Sequence, residues 1–235
     1  MILLKIDQNT EEWEEFRKGK SGGSAFGKLY KINGRTNDAV KDQFFSLLAE
    51  RVARPMTPND YMDRIPDGVP FSWAVRGHIL EDDAAKLFSE KYGIPLMDGY
   101  VWADENNLSS YVSPDRAIIG KDGEITEAVE IKCLSSEKVL KVWWNKKHLE
   151  AGKNDFWAIP SNEYQAQVLK YFMVNEKLEK LYWVVYTDLI PELEMQVLEI
   201  KREDVASFID DAKKVEAKTL KMLDEAVEEL NKMQK

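Results

Sequence analysis

Cysteine is all but missing from this chain, and histidine is nearly as scarce. Cys133 is the only cysteine, and His78 and His148 are the only histidines, far apart in sequence. One cysteine excludes an intramolecular disulfide, a Cys-rich zinc site and a four-cysteine iron–sulfur cluster. Two distant histidines argue against a histidine-built zinc site. Any metal chemistry falls to oxygen ligands, which suit magnesium or manganese. No apolar run approaches the roughly 20 residues that span a bilayer. The stretch MILLKIDQNTEEWEEF turns acidic where a secretory signal needs a longer apolar core. The expectation is a soluble, cytoplasmic protein with no membrane partner. An ATP-binding glycine loop is missing as well, so any motor is another chain.

Positive charge is also short. With 33 Lys and Arg against 42 Asp and Glu, the formal charge is −9. That balance argues at first against nucleic acid, whose phosphates need a cationic surface. The acidity is uneven, however. RKGKSGG and KVLKVWWNKKHLEAGK are locally basic, and carboxylates that bind divalent cations count as negative until the metal arrives.

What the chain does have is a core. At 235 residues, 44% hydrophobic and 11% aromatic, it can bury substantial apolar area. No repeat, low-complexity tract or linker divides it, so residues 1–235 read as one domain.

Residues 10–18 predict a short helix, and Ser24 can cap a second after Gly22-Gly23. TNDAVKDQFFSLLAERVA predicts a third, with Phe44, Leu47, Leu48 and Val52 at helical spacing. A Pro- and Asp-rich loop spans 54–70. Ser72 then caps a helix that Gly93 ends, with Trp73, Leu80, Ala84, Leu87, Phe88 and Tyr92 as its apolar stripe. The period drops to two for strands near 100–103, 109–113, 116–119 and 124–133. A basic segment at 137–153 leads to a helix in NEYQAQVLKYFMVN, and KLYWVVYT and EMQVLEI are two more strands. A long helix over about 202–234 closes the chain, and the apolar face running from Val205 and Ile209 through Val215 to Leu223, Val227 and Leu230 is either an oligomer seam or, as expected, packs on its own domain. The order describes an α/β fold of the α+β kind: a central mixed β-sheet flanked by helices.

The chemistry centres on YVSPDRAIIGKDGEITEAVEIKCLSS. Two apolar runs flank a Lys-Asp-Gly turn, so this is a hairpin. Its second arm puts Val129, Ile131 and Cys133 on one face and Glu130 and Lys132 on the other. Asp115 stands at the mouth of the first arm, where its carboxylate and that of Glu130 can converge and share a cation. Lys132 follows Glu130 by two residues, about 6–7 Å along the same face. Phosphodiester hydrolysis needs such parts, because its transition state adds charge to an already anionic phosphate. A solvated hairpin face shows the same alternation, so other segments have to decide.

Glu81 stands midway along the helix in RGHILEDDAAKLF, and Gly77 one turn earlier removes a side chain where something must approach closely. Tyr164, Gln167 and Tyr171 share one face of a later helix. Arg17 and Ser24 flank a Gly-rich turn that opens a helix, a suitable place for a terminal phosphate.

In order, WEEFRKGKSGGS, RGHILEDDAAKLF, SPDRAII, VEIKC and YQAQVLKYFMV resemble the lambda exonuclease and YqaJ-type viral recombinase family, within the PD-(D/E)xK nuclease group. The resemblance implies a restriction-endonuclease-like fold. It implies metal binding by Glu81, Asp115, Glu130 and the carbonyl of Ile131, with Lys132 as the catalytic lysine. Gln167 and Tyr171 match the family's Gln-x-x-x-Tyr helix motif, and Arg17 and Ser24 match its 5′-phosphate pocket. It further implies a pair of Mg2+ ions, or Mn2+ in their place, and processive 5′-to-3′ digestion of linear double-stranded DNA ends by a ring-shaped homotrimer. A single-strand-annealing partner would use the product in phage-type recombination in the host cytoplasm.

Two departures leave alternatives open. Where the family often has Gly after Pro-Asp, this chain has Arg116, which either adds a phosphate contact or faces water. Trp143, Trp144, Lys146 and Lys147 form either a lid that stacks a frayed base and grips the DNA backbone or a basic surface helix with two partly buried tryptophans. Two other functions compete with the exonuclease: a PD-(D/E)xK endonuclease or nuclease module of a repair complex, and a non-catalytic DNA-end-binding scaffold. The complete Glu, Asp, Glu, Lys set argues against the scaffold, since an idle site has no reason to keep mutually repelling carboxylates.

Overall fold

Strands that are apolar or aromatic residue after residue need cover on both faces, and KLYWVVY is such a strand after its leading Lys180. In the computed structural model, which describes residues 11–12, 15, 40–104 and 107–233, it is β6 (Lys180–Tyr186), an inner strand of a five-stranded sheet. The sheet order is β1 (Met97–Asp98), β4 (Arg116–Ile119), β5 (Ile125–Lys132), β6 and β7 (Met195–Lys201). Only β5 and β6 run parallel. A parallel pair requires a long crossover, and α3 (Ser136–Lys147) and α4 (Asn162–Val174) supply it.

The sheet divides the core in two. Leu181, Trp183 and Val185 face one layer, built with α1 (Val40–Val52), α3, α4 and the start of α5 (Arg202–Met233). Tyr182, Val184 and Tyr186 face the other, with Val129 and Ile131 of β5 and the inner side of α2 (Trp73–Tyr92). Leu80 and Phe88 of α2 are buried there, worth about 1.5–3 kcal/mol each relative to exposure. The expected mixed sheet flanked by helices is therefore the observed fold. Among the described residues no helix is long and apolar enough to cross a membrane.

Local chemistry sets the ends of α2 where the sequence places them. Ser72 Oγ accepts a hydrogen bond from Val75 N at 3.1 Å, and Gly93 closes the helix at φ 66°, in the left-handed region open to glycine. The β4–β5 hairpin likewise turns at Gly123, with φ 85°.

Several details differ from the sequence reading. Residues 97–98 pair with β4 as an unanticipated edge strand. The strands expected near 100–103 and 109–113 leave the main sheet and form their own ribbon, β2 (Trp102–Asp104) with β3 (Asn107–Val112). The loop at 54–70 contains a 3-10 turn, Pro58–Arg64, closed by Asp60 Oδ2 accepting from Thr57 N at 2.8 Å. Phe45 is the fully buried aromatic of α1, while Phe44 is exposed. Trp73 and Tyr92 are more exposed than an apolar stripe implies, and the buried stripe of α2 contains Arg76 instead.

The closing helix buries its start against its own domain and is tied further along through Glu216 to Ser110, at 3.0 Å, and to Lys170. Val205 and Ile209 are buried, whereas Val215 and Met222 are exposed because α5 outruns the sheet it packs on. The side chains of Leu223, Val227 and Leu230 lie outside the description, as do Arg17, Ser24 and the helix expected after Gly22-Gly23; of the helix expected over 10–18, Glu11, Glu12 and Glu15 are described and helical.

Candidate active site

The site is made by one strand ending before its neighbour does. β4 begins at Arg116, paired with Val129, so β5 beyond that point has no partner on the β4 side. Continuing the register by one residue sets Asp115 opposite Glu130. In that gap Asp115 Oδ2 accepts a hydrogen bond from Ile131 N at 2.6 Å. A close backbone approach holds the turn in place: a Cβ on Gly99 would lie 1.8 Å from the Pro114 carbonyl oxygen, so only glycine lets the Pro-Asp turn settle there.

Glu130 is 2% exposed and surrounded by donors. Gln167 Nε2 donates to its Oε1 at 2.6 Å, the Tyr171 hydroxyl donates to its Oε2, and the Lys132 ammonium pairs with Oε1. These contacts place α4 directly over the polar face of β5. Gln167 thus sits where the sequence puts it. Tyr171 follows it one turn along α4. It is 1% exposed, and its hydroxyl orients Glu130 from within the core.

Glu81 arrives by another route. It was expected over the Glu130 face, but α2 covers the Val129 and Ile131 face. Glu81 reaches the site around the open edge of β5. Both layers therefore meet in one cavity of about 530 Å³, bounded by Gly77 and Glu81 from α2, Asp115 and Lys132 from the hairpin, and Lys138 and Tyr164 from the α3–α4 layer. Gly77 has no close neighbour, contrary to expectation. A Cβ there would meet nothing within 4 Å, so the residue opens the cavity wall. A larger hollow of about 630 Å³ lies at the other end of β5, beside Gly123 and Asn175, and holds none of the expected site residues.

The electrostatics are those of carboxylates held together against their repulsion. Burial, then the charge of Glu130, push the Asp115 carboxyl up to about 7 from an ordinary 3.8. Burial pulls the Lys132 ammonium down, yet the adjoining Glu130 charge and hydrogen bond raise it overall, so it stays protonated. Burial first, then Glu130, raise Tyr171 as well, keeping it a donor. Cys133, pushed up to about 12 by burial, is an unreactive thiol.

The carboxylates of Glu81, Asp115 and Glu130 offer oxygen donors, which fit a hard divalent cation; His78 and Cys133 also line the cavity. Among the described residues no three His, Cys, Asp or Glu side chains form a ready-made cation cluster. Each carboxylate is instead occupied from within: Asp115 by Ile131 N, Glu130 by Lys132, and Glu81 by Arg116, whose Nη1 lies 3.2 Å from Glu81 Oε1. Arg116 is thus engaged by Glu81 and Asp82 rather than turned wholly to water.

The YqaJ-like viral recombinase domain matches residues 12–178, most of the chain. The chain belongs to that family. In fold, the YqaJ-like chain is similar to the crystal structure of an alkaline exonuclease (LHK-Exo) from Laribacter hongkongensis. The TM-score is 0.54 at 20% identity, covering 95% of this chain and 97% of that one. A crystal structure of LHK-Exo in complex with dAMP aligns at TM-score 0.46 and 18% identity, over 93% of this chain and 99% of that chain. No curated protein matches the sequence.

The basic tryptophan segment of this YqaJ-like chain is not a lid on the cavity. α3 starts at the cavity and carries these residues to its far end, up to about 16 Å away at 1.5 Å per residue. Trp144 packs between Phe44, at 5.3 Å, and the stacked His148 ring, at 4.1 Å. Lys146 is bound to Asp155 at 3.1 Å and to the Val197 carbonyl at 2.9 Å. Trp143 keeps only Lys147 over its face, at 5.1 Å. The helix reaches the cavity through Lys138 instead, with Nζ 5.5 Å from the Tyr164 ring centre; the Lys132 ammonium lies 5.9 Å from the same ring. Sequence reasoning missed Lys138, although its place one turn into the helix after VEIKC was a usable signal.

Proposed function

We propose that this protein is a metal-dependent deoxyribonuclease that degrades linear double-stranded DNA 5′ to 3′ from a 5′-phosphorylated end. The observation that carries the reading is the convergence of Glu81, Asp115 and Lys132 on one cavity, with buried Glu130 held behind Lys132. Family membership and the exonuclease fold lead in the same direction.

Asp115, Glu130, Glu81 and the Ile131 carbonyl would hold Mg2+, or Mn2+, as a pair of ions. Ile131 donates its N–H toward Asp115, and in an extended strand the carbonyl of the same residue points the same way. When bound, the cations neutralise charge developing on the phosphate and lower the pKa of an attacking water. Lys132 brings a fixed positive charge to the scissile phosphate, kept protonated by Glu130. Gln167 and Tyr171 hold the Glu130 carboxylate in one orientation. Lys138 and Tyr164 grip the strand at the cavity mouth, by charge and by stacking. Arg17 and Ser24 form the 5′-phosphate pocket, and Trp143 and Lys147 touch the duplex away from the cut. A ring of three chains would make digestion processive and leave 3′ single strand for an annealing partner.

Linear duplexes ending in 5′-phosphate or 5′-hydroxyl, and a closed circle, each incubated with magnesium or with chelator, test the reading. Magnesium-dependent shortening of the 5′-phosphorylated linear DNA alone is expected. Cutting of the circle would make the protein an endonuclease, and no cutting at all would make it a scaffold. Lys132→Ala should abolish cleavage while DNA binding persists, and Arg17→Ala should erase the preference for a 5′-phosphate.

A further inference from the structure

The site contains a cation of its own. Arg116 is paired with Val129, so its side chain leaves the sheet on the α2 face, toward Glu81 rather than toward Glu130. Its Nη1 lies 3.2 Å from Glu81 Oε1 and 2.6 Å from the Asp115 carbonyl, and its Nη2 lies 2.5 Å from Asp82 Oδ1. The guanidinium is 17% exposed, so water screens it only in part. One side chain thus joins the Pro-Asp turn to α2 and neutralises a carboxylate at the cavity wall. Among the described residues, His78 lies 3.9 Å from the other oxygen of Glu81 and is itself largely in solvent. Glu81 is therefore held from the protein side by the one group that any incoming cation must compete with.

We propose that Arg116 is a positioning residue that stands in for the divalent cation on Glu81 when the site is empty, and so sets how tightly the site takes the cation. The inference rests on Glu81 being a ligand, as in the function proposed above. Two opposite effects follow from one contact. Arg116 joins α2 to the hairpin in the cation-free protein, and it withholds Glu81 from the cation. Removing it should loosen the empty site and tighten cation binding.

Mn2+ binding, by calorimetry or by the electron paramagnetic resonance of free Mn2+, separates these effects without any reference to cleavage. Arg116→Ala should bind Mn2+ about 5- to 30-fold more tightly than the parent, a difference of about 1–2 kcal/mol, as befits a half-buried charge-assisted pair. It should also melt at a lower temperature in chelator and recover in Mn2+. Arg116→Gln, which keeps most of the length without the charge, should tighten binding in the same direction and serves if the alanine variant does not fold. In Glu81→Gln, adding the Arg116 change should no longer tighten binding. Unchanged or weaker Mn2+ affinity on loss of Arg116, or tightening that survives Glu81→Gln, would overturn the inference and leave the nuclease reading intact. A parent protein that binds no Mn2+ would sink both.

Discussion

Removing divalent cations should make this protein less stable as pH rises, and Asp115 is the residue to blame. Its carboxyl is pushed to about 7 from an ordinary 3.8, first by burial and then by Glu130. The sign follows from proton binding. Between about pH 4 and 7 the folded protein keeps a proton on Asp115 that the unfolded chain has released, so unfolding is favoured as protons become scarce. The stability is fully present below about pH 4, and is lost progressively until the pH has passed about 7. Each pKa unit corresponds to about 1.4 kcal/mol, which makes the full loss about 4 kcal/mol; partial exposure and coupling to Glu130 reduce the expectation to about 2–4 kcal/mol.

Asp115→Asn isolates that contribution, because the amide oxygen can still accept from Ile131 N without carrying charge. Urea unfolding of parent and variant in chelator, at steps from pH 4.5 to 8.5, should show near-equal stability at the acid end. The variant should gain about 2–4 kcal/mol over the parent by the alkaline end. In melting temperature this is roughly 5–15 °C for a chain of this size. Adding Mg2+ or Mn2+ at alkaline pH should restore the parent and leave the variant unmoved. A difference between the two that does not change with pH would refute the argument, as would a variant less stable than the parent in chelator at pH 8.5.

Gly99→Ala would set a Cβ 1.8 Å from the Pro114 carbonyl oxygen, backbone against backbone, and should cost more than about 2 kcal/mol in urea unfolding. Gly77→Ala, with open space around the new atom, should instead stabilise α2 by about 0.5–1 kcal/mol. Arg76→Ala removes a fully buried guanidinium that bonds Asp188 and Tyr61. A loss of about 3 kcal/mol is expected from the carboxylate left behind, moderated because Arg54 also reaches Asp188 at 2.9 Å, and denaturant midpoints would measure it. Gln167→Ala leaves Lys132 on Glu130 Oε1 but removes the amide donor there, and Tyr171→Phe removes the donor to Oε2. Each should lower Mn2+ affinity or cleavage rate about 10–100-fold with little change in DNA affinity, which titration and single-turnover cleavage would resolve.

Elements whose causes are local were legible from the amino-acid order alone. Ser72 and Gly93 bound α2 because a hydroxyl cap and a left-handed glycine act within one helical turn. The Lys-Asp-Gly turn and the alternation of VEIKC gave the β4–β5 hairpin, with Val129, Ile131 and Cys133 on one shared face as read, a face the fold then turns toward α2. The buried carboxylate, its lysine and its glutamine were legible too, because spacing along one strand and one helix fixes which face each side chain takes.

Facts that depend on what lies across space were decided only by the tertiary structure. Periodicity sends an arginine to solvent, yet Arg76 is buried because Asp188 and Tyr61, distant in sequence, meet it. Glu81 comes around the strand edge from the opposite layer because β4 stops at Arg116, and no local signal marks where a neighbouring strand stops. Gly99 is required by Pro114, and Arg116 is occupied by Glu81 and Asp82. The amino-acid sequence determined on which face of each element the candidate groups sit. Only the folded chain decided which groups share a cavity and which internal partners hold them there, because those pairings are set by strand register and layer packing between residues far apart in the chain.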